Sequence, residues 1–194
     1  MKIYNYSSVS AEKRISAIVN RGLAFKKKDF LEITRILEEI RRYGDKALIK
    51  YVNLFDAPDM GMESLKVTQE EMDTALERVE QSFLNALNRA ADQIESFHRQ
   101  QLGRSWINTE RPGTLLGQLI NPVDAAGVYV PGGKGGETPL VSSALMGAIP
   151  AGIAGVKKII MVTPPRKDGT VNPHLLVAAK KAGVHGVYKA GSAW

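Results

Sequence analysis

The sequence predicts an α/β fold in which a helical N-terminal half is followed by a βαβαβ unit with parallel strands. Glycine and proline are unevenly distributed over the 194 residues. Residues 1–110 contain four of the 18 glycines and one proline, whereas residues 111–194 contain the other 14 glycines and eight prolines. The apolar spacing changes at the same place, from a helical period to short runs separated by turns. We therefore expect a mainly helical region at 1–112 and a partial α/β domain at 113–194.

The first three helices are predicted from apolar stripes that begin beside capping residues. Ser10 is expected to cap the first helix, and Asp29 and Glu32 have the spacing of a capping box before the second. Gly44 then provides a C-terminal stop, because glycine readily adopts the left-handed conformation that ends a helix. Asp45 begins the third helix.

Two short extended segments and one long helix complete the first half. Residues 3–4 are expected to form a short strand or an extended arm, and residues 65–67 a short strand. Thr68 and Glu71 form a second capping box, after which an apolar stripe continues to about Leu102. We expect this stripe to form one helix roughly 50 Å long, at 1.5 Å per residue.

The second half alternates strands and helices. Right-handed crossovers between sequential strands would place both helices on one face of the sheet, so the first-half helices are expected to cover the other face. The sheet edge near Val187 is expected to remain open, which favours self-association. Strands are predicted at 115–120, 126–130, 157–163 and 187–189, and helices at 140–151 and, after the cap Asn172, at 173–183.

Charge and composition exclude several classes of protein. The net charge is +6, but basic residues are scattered among acids and the only tight run is 26–28, so no nucleic-acid partner is expected. The most apolar window, 138–156, is interrupted by prolines and glycines, so no membrane span is expected. The first 25 residues alternate charged and apolar residues without an apolar core, so no signal peptide is expected. The absence of cysteine excludes disulfides and thiolate chemistry. A soluble, cytoplasmic protein is predicted.

The glycine-rich loop at 131–138 is the most informative local feature. Glycines between a strand and a helix allow backbone N–H groups to approach a phosphate. The spacing matches neither the dinucleotide fingerprint nor the Walker pattern, so a flexible surface turn is an equal alternative. Tyr129 precedes this loop at the carboxyl end of a predicted strand, the edge at which ligands bind in open α/β sheets. The alternative there is an ordinary buried strand tyrosine.

The remaining polar residues indicate no catalytic set. His98, His174 and His185 have no second histidine or carboxylate at the spacing of metal ligands. Ser142 and Ser143 lack the flanking glycines of a nucleophile elbow. From the residues alone, no catalytic residue and no metal ligand is identified.

Motifs along most of the chain resemble histidinol dehydrogenase. The specific series is AGVYVPGG, then SALMGAIPAGIAGV, then TPP, and last AGVHGVYKAGSAW. In the first half, RRYGDKALIKYVNLFD and LKVTQEEMDTAL follow the family more weakly. The resemblance implies an incomplete Rossmann-like fold and a homodimeric, zinc- and NAD-dependent oxidation of L-histidinol to L-histidine in histidine biosynthesis. It also implies that Tyr129 contacts NAD and that Pro131, Gly132 and Gly133 belong to the adjoining cofactor motif.

Three departures from the family qualify that expectation. Family members are about twice as long, and their Glu-His acid–base pair and zinc ligands match no residue of this chain. Trp194 stands where the family has a glutamine that contacts NAD, and the loop that begins at Lys134 is a few residues longer. We therefore expect the N-terminal part of the enzyme, inactive without the missing C-terminal half. The alternatives are a non-catalytic structural or interaction module and a relative that oxidises another amino alcohol.

Overall fold

The computed structural model describes residues 3–20, 27–133 and 138–191, and the chain divides into two compact units, Met1–Glu38 and Glu39–Trp194. None of the helices in these described ranges has the length and apolarity needed to cross a membrane. The helices are α1 (Val9–Val19), α2 (Lys27–Tyr43), α3 (Asp45–Phe55), α4 (Gln69–Glu77), α5 (Gln81–Arg99), α6 (Val141–Ile153) and α7 (Pro173–Lys181). The strands are β1 (Trp106–Asn108), β2 (Leu116–Gln118), β3 (Ala125–Tyr129), β4 (Lys158–Thr163) and β5 (Gly186–Lys189).

In the first unit, the predicted helix starts are wrong by two residues for α1 and by three residues for α2. The cap of α1 is Ser8 and not Ser10: its backbone is extended and its side chain accepts a hydrogen bond from the N–H of Ala11 at 3.2 Å. Ser10 lies inside the first turn, because the turn between Asn5 and Ser8 ends the extended segment earlier. Asp29 likewise lies inside the first turn of α2, so it does not cap that helix. Residues 3–4 form no strand.

The end of α2 and the whole of α3 confirm the prediction. Gly44 has a φ of +58° and donates its N–H to the carbonyl of Ile40 at 2.8 Å, so the chain turns where only glycine is unstrained. α3 then buries Val52 in a small apolar cluster formed with Met60 and Leu65.

The predicted capping box at Thr68 is confirmed, but the single long helix is wrong. Glu71 donates its N–H to the Thr68 hydroxyl at 3.1 Å, and its carboxylate accepts the N–H of Thr68 at 2.8 Å. The helix breaks at Glu80, whose backbone is extended. Val79, beside the break, still packs on the core. The apolar spacing of the sequence therefore continues across a point at which the helix is interrupted. The 19 residues of α5 span about 28 Å instead of 50 Å.

The predicted parallel sheet is confirmed, with the order β3-β4-β5. α6 and α7 pack against each other, and one face of the sheet contributes Ile159, Met161 and Val187 to their core. α4 and α5 pack against α7 and α6, so the prediction that the first-half helices cover the opposite face of the sheet is wrong for these two helices. On that face, Val162 packs against the cluster of α3.

The edge of the sheet at β5 is closed, contrary to the prediction of an open edge near Val187. The predicted strand at 65–67 is a single antiparallel bridge between Lys66 and Tyr188. The Val67 N–H donates to the Val187 carbonyl at 2.9 Å, and the Lys189 N–H donates to the Leu65 carbonyl at 2.7 Å. Sequence neighbours gave no sign of this pairing because it joins residues more than 100 positions apart.

β1 and β2 form a separate antiparallel hairpin, of which only β2 was predicted. Both strands are fully exposed along their length. Trp106 and Leu116 lie on one face of the hairpin and Ile107 on the other, as the pairing register requires. The hairpin therefore presents large apolar side chains to solvent on both faces.

Candidate functional site

Tyr129 is the last residue of β3, at the carboxyl edge of the parallel sheet. It lies beside Val162 in the register with β4, and the residue is 43% exposed. The alternative of an ordinary buried tyrosine therefore does not describe its environment. The exposure leaves the ring accessible to a ligand at the edge where open α/β sheets bind ligands.

The loop after β3 forms a tight backbone turn next to Tyr129. Gly133 has a φ of +62°, and a Cβ at this position would lie 2.7 Å from the carbonyl oxygen of Thr138 and 2.8 Å from its Cβ. Gly132 is buried, whereas Pro131 is exposed. Only glycine fits at 133, for reasons of both conformation and space. Residues 134–137, including the predicted longer part of the loop, lie outside the described residues.

The N-terminus of α6 follows this loop, and no side chain of the described residues is seen to cap it. Leu140 occupies the cap position and makes no side-chain hydrogen bond to the helix, and the first turn contains no acidic residue. α7 differs, because the side chain of Asn172 caps it by accepting the N–H of His174 at 3.0 Å. N–H groups at a helix N-terminus, together with the positive end of the helix dipole, favour the binding of a phosphate, although the N–H of Ser143 already donates to the carbonyl of Leu140 at 3.0 Å.

Gly147 determines how closely α6 approaches β3, a role that was not predicted from the sequence. A Cβ at Gly147 would lie 2.5 Å from Cγ1 of Val128. The helix therefore packs on the strand at a distance that only glycine permits, which is the role of the last glycine in nucleotide-binding βα units. The many small residues in the sequence of α6 indicated that this helix packs closely on a neighbouring element.

A buried ion pair lies at the same edge of the sheet, also unpredicted. Lys189, the last residue of β5, is buried and its Nζ donates to Oε1 of Glu71 at 2.5 Å. Thr163, its register partner on β4, is fully buried, and its hydroxyl has no hydrogen-bond partner among the described residues. Glu71 thus joins the capping box of α4 to the carboxyl end of the sheet.

The histidines are dispersed, and each has a local partner. His98 bonds to Gln101 at 2.7 Å, and His174 contacts Phe83 edge-on. Nδ1 of His185 accepts the N–H of Ile159 at 3.1 Å. In the described ranges, no three His, Cys, Asp or Glu side chains are grouped so that they would hold a metal ion. Trp194 lies outside the described residues.

Comparisons with known proteins agree on one family. The sequence profile of the family described as histidinol dehydrogenase matches residues 21–194. A histidinol dehydrogenase from Desulfotalea psychrophila is 54% identical over 159 residues, which are 82% of this chain and 37% of the relative. One from Syntrophotalea carbinolica is 40% identical over 193 residues, which are 100% of this chain and 44% of the relative.

A solved structure has the same fold. The crystal structure of histidinol dehydrogenase from Elizabethkingia anophelis matches with a TM-score of 0.85 at 31% identity, covering 100% of this chain and 43% of that chain. This chain spans less than half the length of these relatives. The profile match over most of the chain, with 40–54% identity to these two relatives, shows that the chain belongs to the histidinol dehydrogenase family.

Proposed function

We propose that this chain supplies the NAD-binding edge of a histidinol dehydrogenase that oxidises L-histidinol to L-histidine. The observation that carries the proposal is the glycine turn at Gly133 beside the exposed ring of Tyr129, in a chain that belongs to this family. The positive φ of Gly133 lets the loop turn tightly at the carboxyl edge of the sheet, and a glycine turn between a strand and a helix can direct backbone N–H groups toward a phosphate.

The residues of the chain have distinct roles in this proposal. Tyr129 contacts the cofactor with its exposed ring, and the backbone of Pro131, Gly132 and Gly133 forms the wall of the cofactor site. The uncapped N-terminus of α6 supplies N–H donors and positive potential toward the phosphates. NAD, when bound, supplies the hydride acceptor for the oxidation. This chain's own residues bind and orient the cofactor.

Zinc does not fit the described part of this chain, where no group of three metal-binding side chains lies together. We propose that the zinc ligands and the acid–base pair come from the part of the family's length that this chain does not span. The chain alone is then expected to oxidise no histidinol. Binding the cofactor and carrying out the chemistry would be tasks of different segments of the complete enzyme.

Several broader expectations remain proposals. We propose a cytoplasmic enzyme of histidine biosynthesis, a homodimer in its complete form, with domains at 1–112 and 113–194. The alternative of a non-catalytic interaction module relied in part on an open sheet edge at β5. Residues 65–67 cover that edge, so this argument for the alternative no longer holds.

Complementation tests the proposed activity. The chain is co-expressed with a polypeptide that carries the part of the Desulfotalea psychrophila enzyme that follows the matched region, and NADH absorbance is followed after addition of zinc, NAD and L-histidinol. We expect NADH from the complex and none from the chain alone. Tyr129→Ala is expected to lower the rate, whereas Tyr43→Ala, which truncates an exposed tyrosine on α2, leaves it unchanged. A flat absorbance trace from a folded complex would refute the proposed activity.

A further inference from the structure

We propose that Glu71 and Lys189 are positioning residues for the cofactor, because their buried ion pair fixes the carboxyl end of β5 as part of the cofactor site. The inference rests on the proposed function. It goes beyond that proposal by extending the site from Tyr129 across the sheet to a second strand. It also gives a role to two residues that act through the backbone they hold.

The ion pair lies in the row of residues directly beyond Tyr129 at the carboxyl edge of the sheet. Tyr129, Val162 and Tyr188 are register partners across β3, β4 and β5. Thr163 and Lys189 form the next row. Adjacent strands lie about 4.8 Å apart, so the end of β5 is about 10 Å from the end of β3. Dinucleotides bind along the carboxyl ends of the strands in open α/β sheets, so a cofactor that contacts Tyr129 is expected to reach the end of β5.

The backbone around Lys189 is already held without the ion pair. Its N–H donates to the carbonyl of Leu65 at 2.7 Å, and the N–H of Ala190 donates to the carbonyl of Thr163 at 2.9 Å. These two hydrogen bonds join the end of β5 to the segments on both of its sides. The ammonium of Lys189 therefore adds a constraint that strand pairing does not need.

Glu71 provides a fixed anchor for that ammonium. Oε2 of Glu71 accepts the N–H of Thr68 at 2.8 Å in the capping box of α4, and Oε1 accepts a hydrogen bond from Nζ of Lys189 at 2.5 Å. Because both oxygens are bound, the carboxylate has little freedom to rotate. Binding sites need their residues held to within about 0.5 Å by supporting hydrogen bonds of this kind. The ion pair therefore fixes the end of β5 relative to the start of α4.

Stability alone does not favour the polar groups at this place. The side chain of Lys189 is 6% exposed and lies on the same face of the sheet as Val187, which packs in the core with α6 and α7. On the same face, the buried hydroxyl of Thr163 has no hydrogen-bond partner among the described residues. A buried ion pair recovers little more than its desolvation cost, and an unpartnered buried hydroxyl is unfavourable. Such departures from apolar packing are expected at functional sites.

A paired substitution separates positioning from stability. Glu71→Gln with Lys189→Met removes both charges, and glutamine can retain the capping box. Replacing both partners of a buried ion pair is often neutral, so the urea midpoint is expected to lie close to that of the unaltered chain. We expect calorimetry to show NAD binding weakened about tenfold all the same, because the end of β5 must then be ordered when the cofactor binds.

The matched control is Asp73→Asn with Lys180→Met. It removes another ion pair made by α4, in which Nζ of Lys180 lies 3.1 Å from Oδ1 of Asp73, and these side chains are 49% and 59% exposed. Lys180 is in the last turn of α7, away from the carboxyl edge of the sheet. The affinity for NAD is expected to stay within about twofold of that of the unaltered chain.

The outcomes separate the inference from the proposed function. Equal NAD affinity in the Glu71/Lys189 double variant and the unaltered chain would overturn the inference and leave the proposed role of Tyr129 intact. A comparable loss of affinity in the control variant would overturn it too, since the position of the pair would then not matter. Absence of NAD binding by the unaltered chain would refute the proposed function and the inference with it.

A second measurement decides if the double variant does not fold. Saturating NAD is expected to slow hydrogen exchange at the amide of Ala190 in the unaltered chain by at least about threefold, because the bound cofactor restricts opening of the end of β5. Exchange at Ala190 that is unchanged by bound NAD would overturn the inference.

Discussion

Replacing Gly147 with alanine tests how closely α6 packs on β3. The new methyl carbon would lie 2.5 Å from Cγ1 and 3.4 Å from Cγ2 of Val128. Non-bonded carbons pack best at about 3.5–4.0 Å, so the helix or the valine must move by roughly 1 Å. The valine cannot easily rotate, because a β-branched side chain has restricted χ1. The strain therefore falls on the packing between helix and strand.

The expected magnitude follows from two opposing effects. Overpacking a core typically costs about 1–3 kcal/mol. Replacing a glycine inside a helix with alanine raises the free energy of unfolding by about 1 kcal/mol. We expect Gly147→Ala to lower the free energy of unfolding by about 1 kcal/mol. Gly152→Ala in the same helix is the matched control, because its Cβ would meet Ile159 Cδ1 at 3.8 Å, an ordinary contact. It is expected to raise the free energy of unfolding by about 0.5–1 kcal/mol.

Urea unfolding followed by circular dichroism measures both variants. A difference of about 2 kcal/mol between them is the predicted result. Adding Val128→Ala to Gly147→Ala is expected to recover part of the loss, which a double-mutant cycle reports as a coupling energy. Equal stability of the two glycine variants, or a cycle without coupling, would refute the close-packing argument.

Three further predictions concern the edge of the sheet and its loops. Gly133→Ala is expected to destabilise the chain by about 1–2 kcal/mol in urea and to weaken NAD binding in calorimetry, because the residue has a positive φ. Equal affinity for NAD would contradict the proposed role of Gly133 in the cofactor site. Glu71→Gln leaves the buried ammonium of Lys189 without its ion pair and is expected to lower the free energy of unfolding by about 2–3 kcal/mol. The exposed control Glu95→Gln is expected to lower it by about 0.5 kcal/mol or less. Equal losses in the two variants would refute the importance of the Glu71–Lys189 pair. Hydrogen bonds from the side chain and backbone of Thr170 lower the pKa of Asp168 below its ordinary 3.8. The ionised carboxylate therefore stabilises the folded state fully above pH 3.8, and this contribution is lost as pH falls through the lower pKa of the folded state. Urea midpoints from about pH 5 to about pH 2 should therefore fall less in Asp168→Asn than in the unaltered chain, and parallel curves would contradict the assignment.

The α/β half was predictable because its signals are local. β4 is an apolar, β-branched run closed by two prolines, and α7 begins with a capping asparagine followed by proline. The strand order then followed from the rule that sequential parallel strands connected by helices lie side by side. These two observations were enough to predict that Tyr129 lies at the carboxyl edge of the sheet.

The errors arose where tertiary contacts decide the backbone. The break before α5 does not interrupt the apolar stripe, so periodicity alone cannot detect it. The cover on β5 and the ion pair between Glu71 and Lys189 join segments far apart in sequence, the latter 118 residues apart. Gly147 reads in sequence as a weak helix former, and only the distance to Val128 shows why glycine is needed there.

Calorimetric titration of the chain with NAD tests the central claim, that this polypeptide binds a nicotinamide cofactor at the edge beside Tyr129. We expect saturable binding at millimolar NAD that weakens about tenfold in Tyr129→Ala, since loss of an aromatic contact costs about 1–1.5 kcal/mol. Tyr43→Ala is the control, because Tyr43 is 57% exposed on α2. Absence of binding at millimolar NAD, or equal affinity in the two variants, would contradict the account.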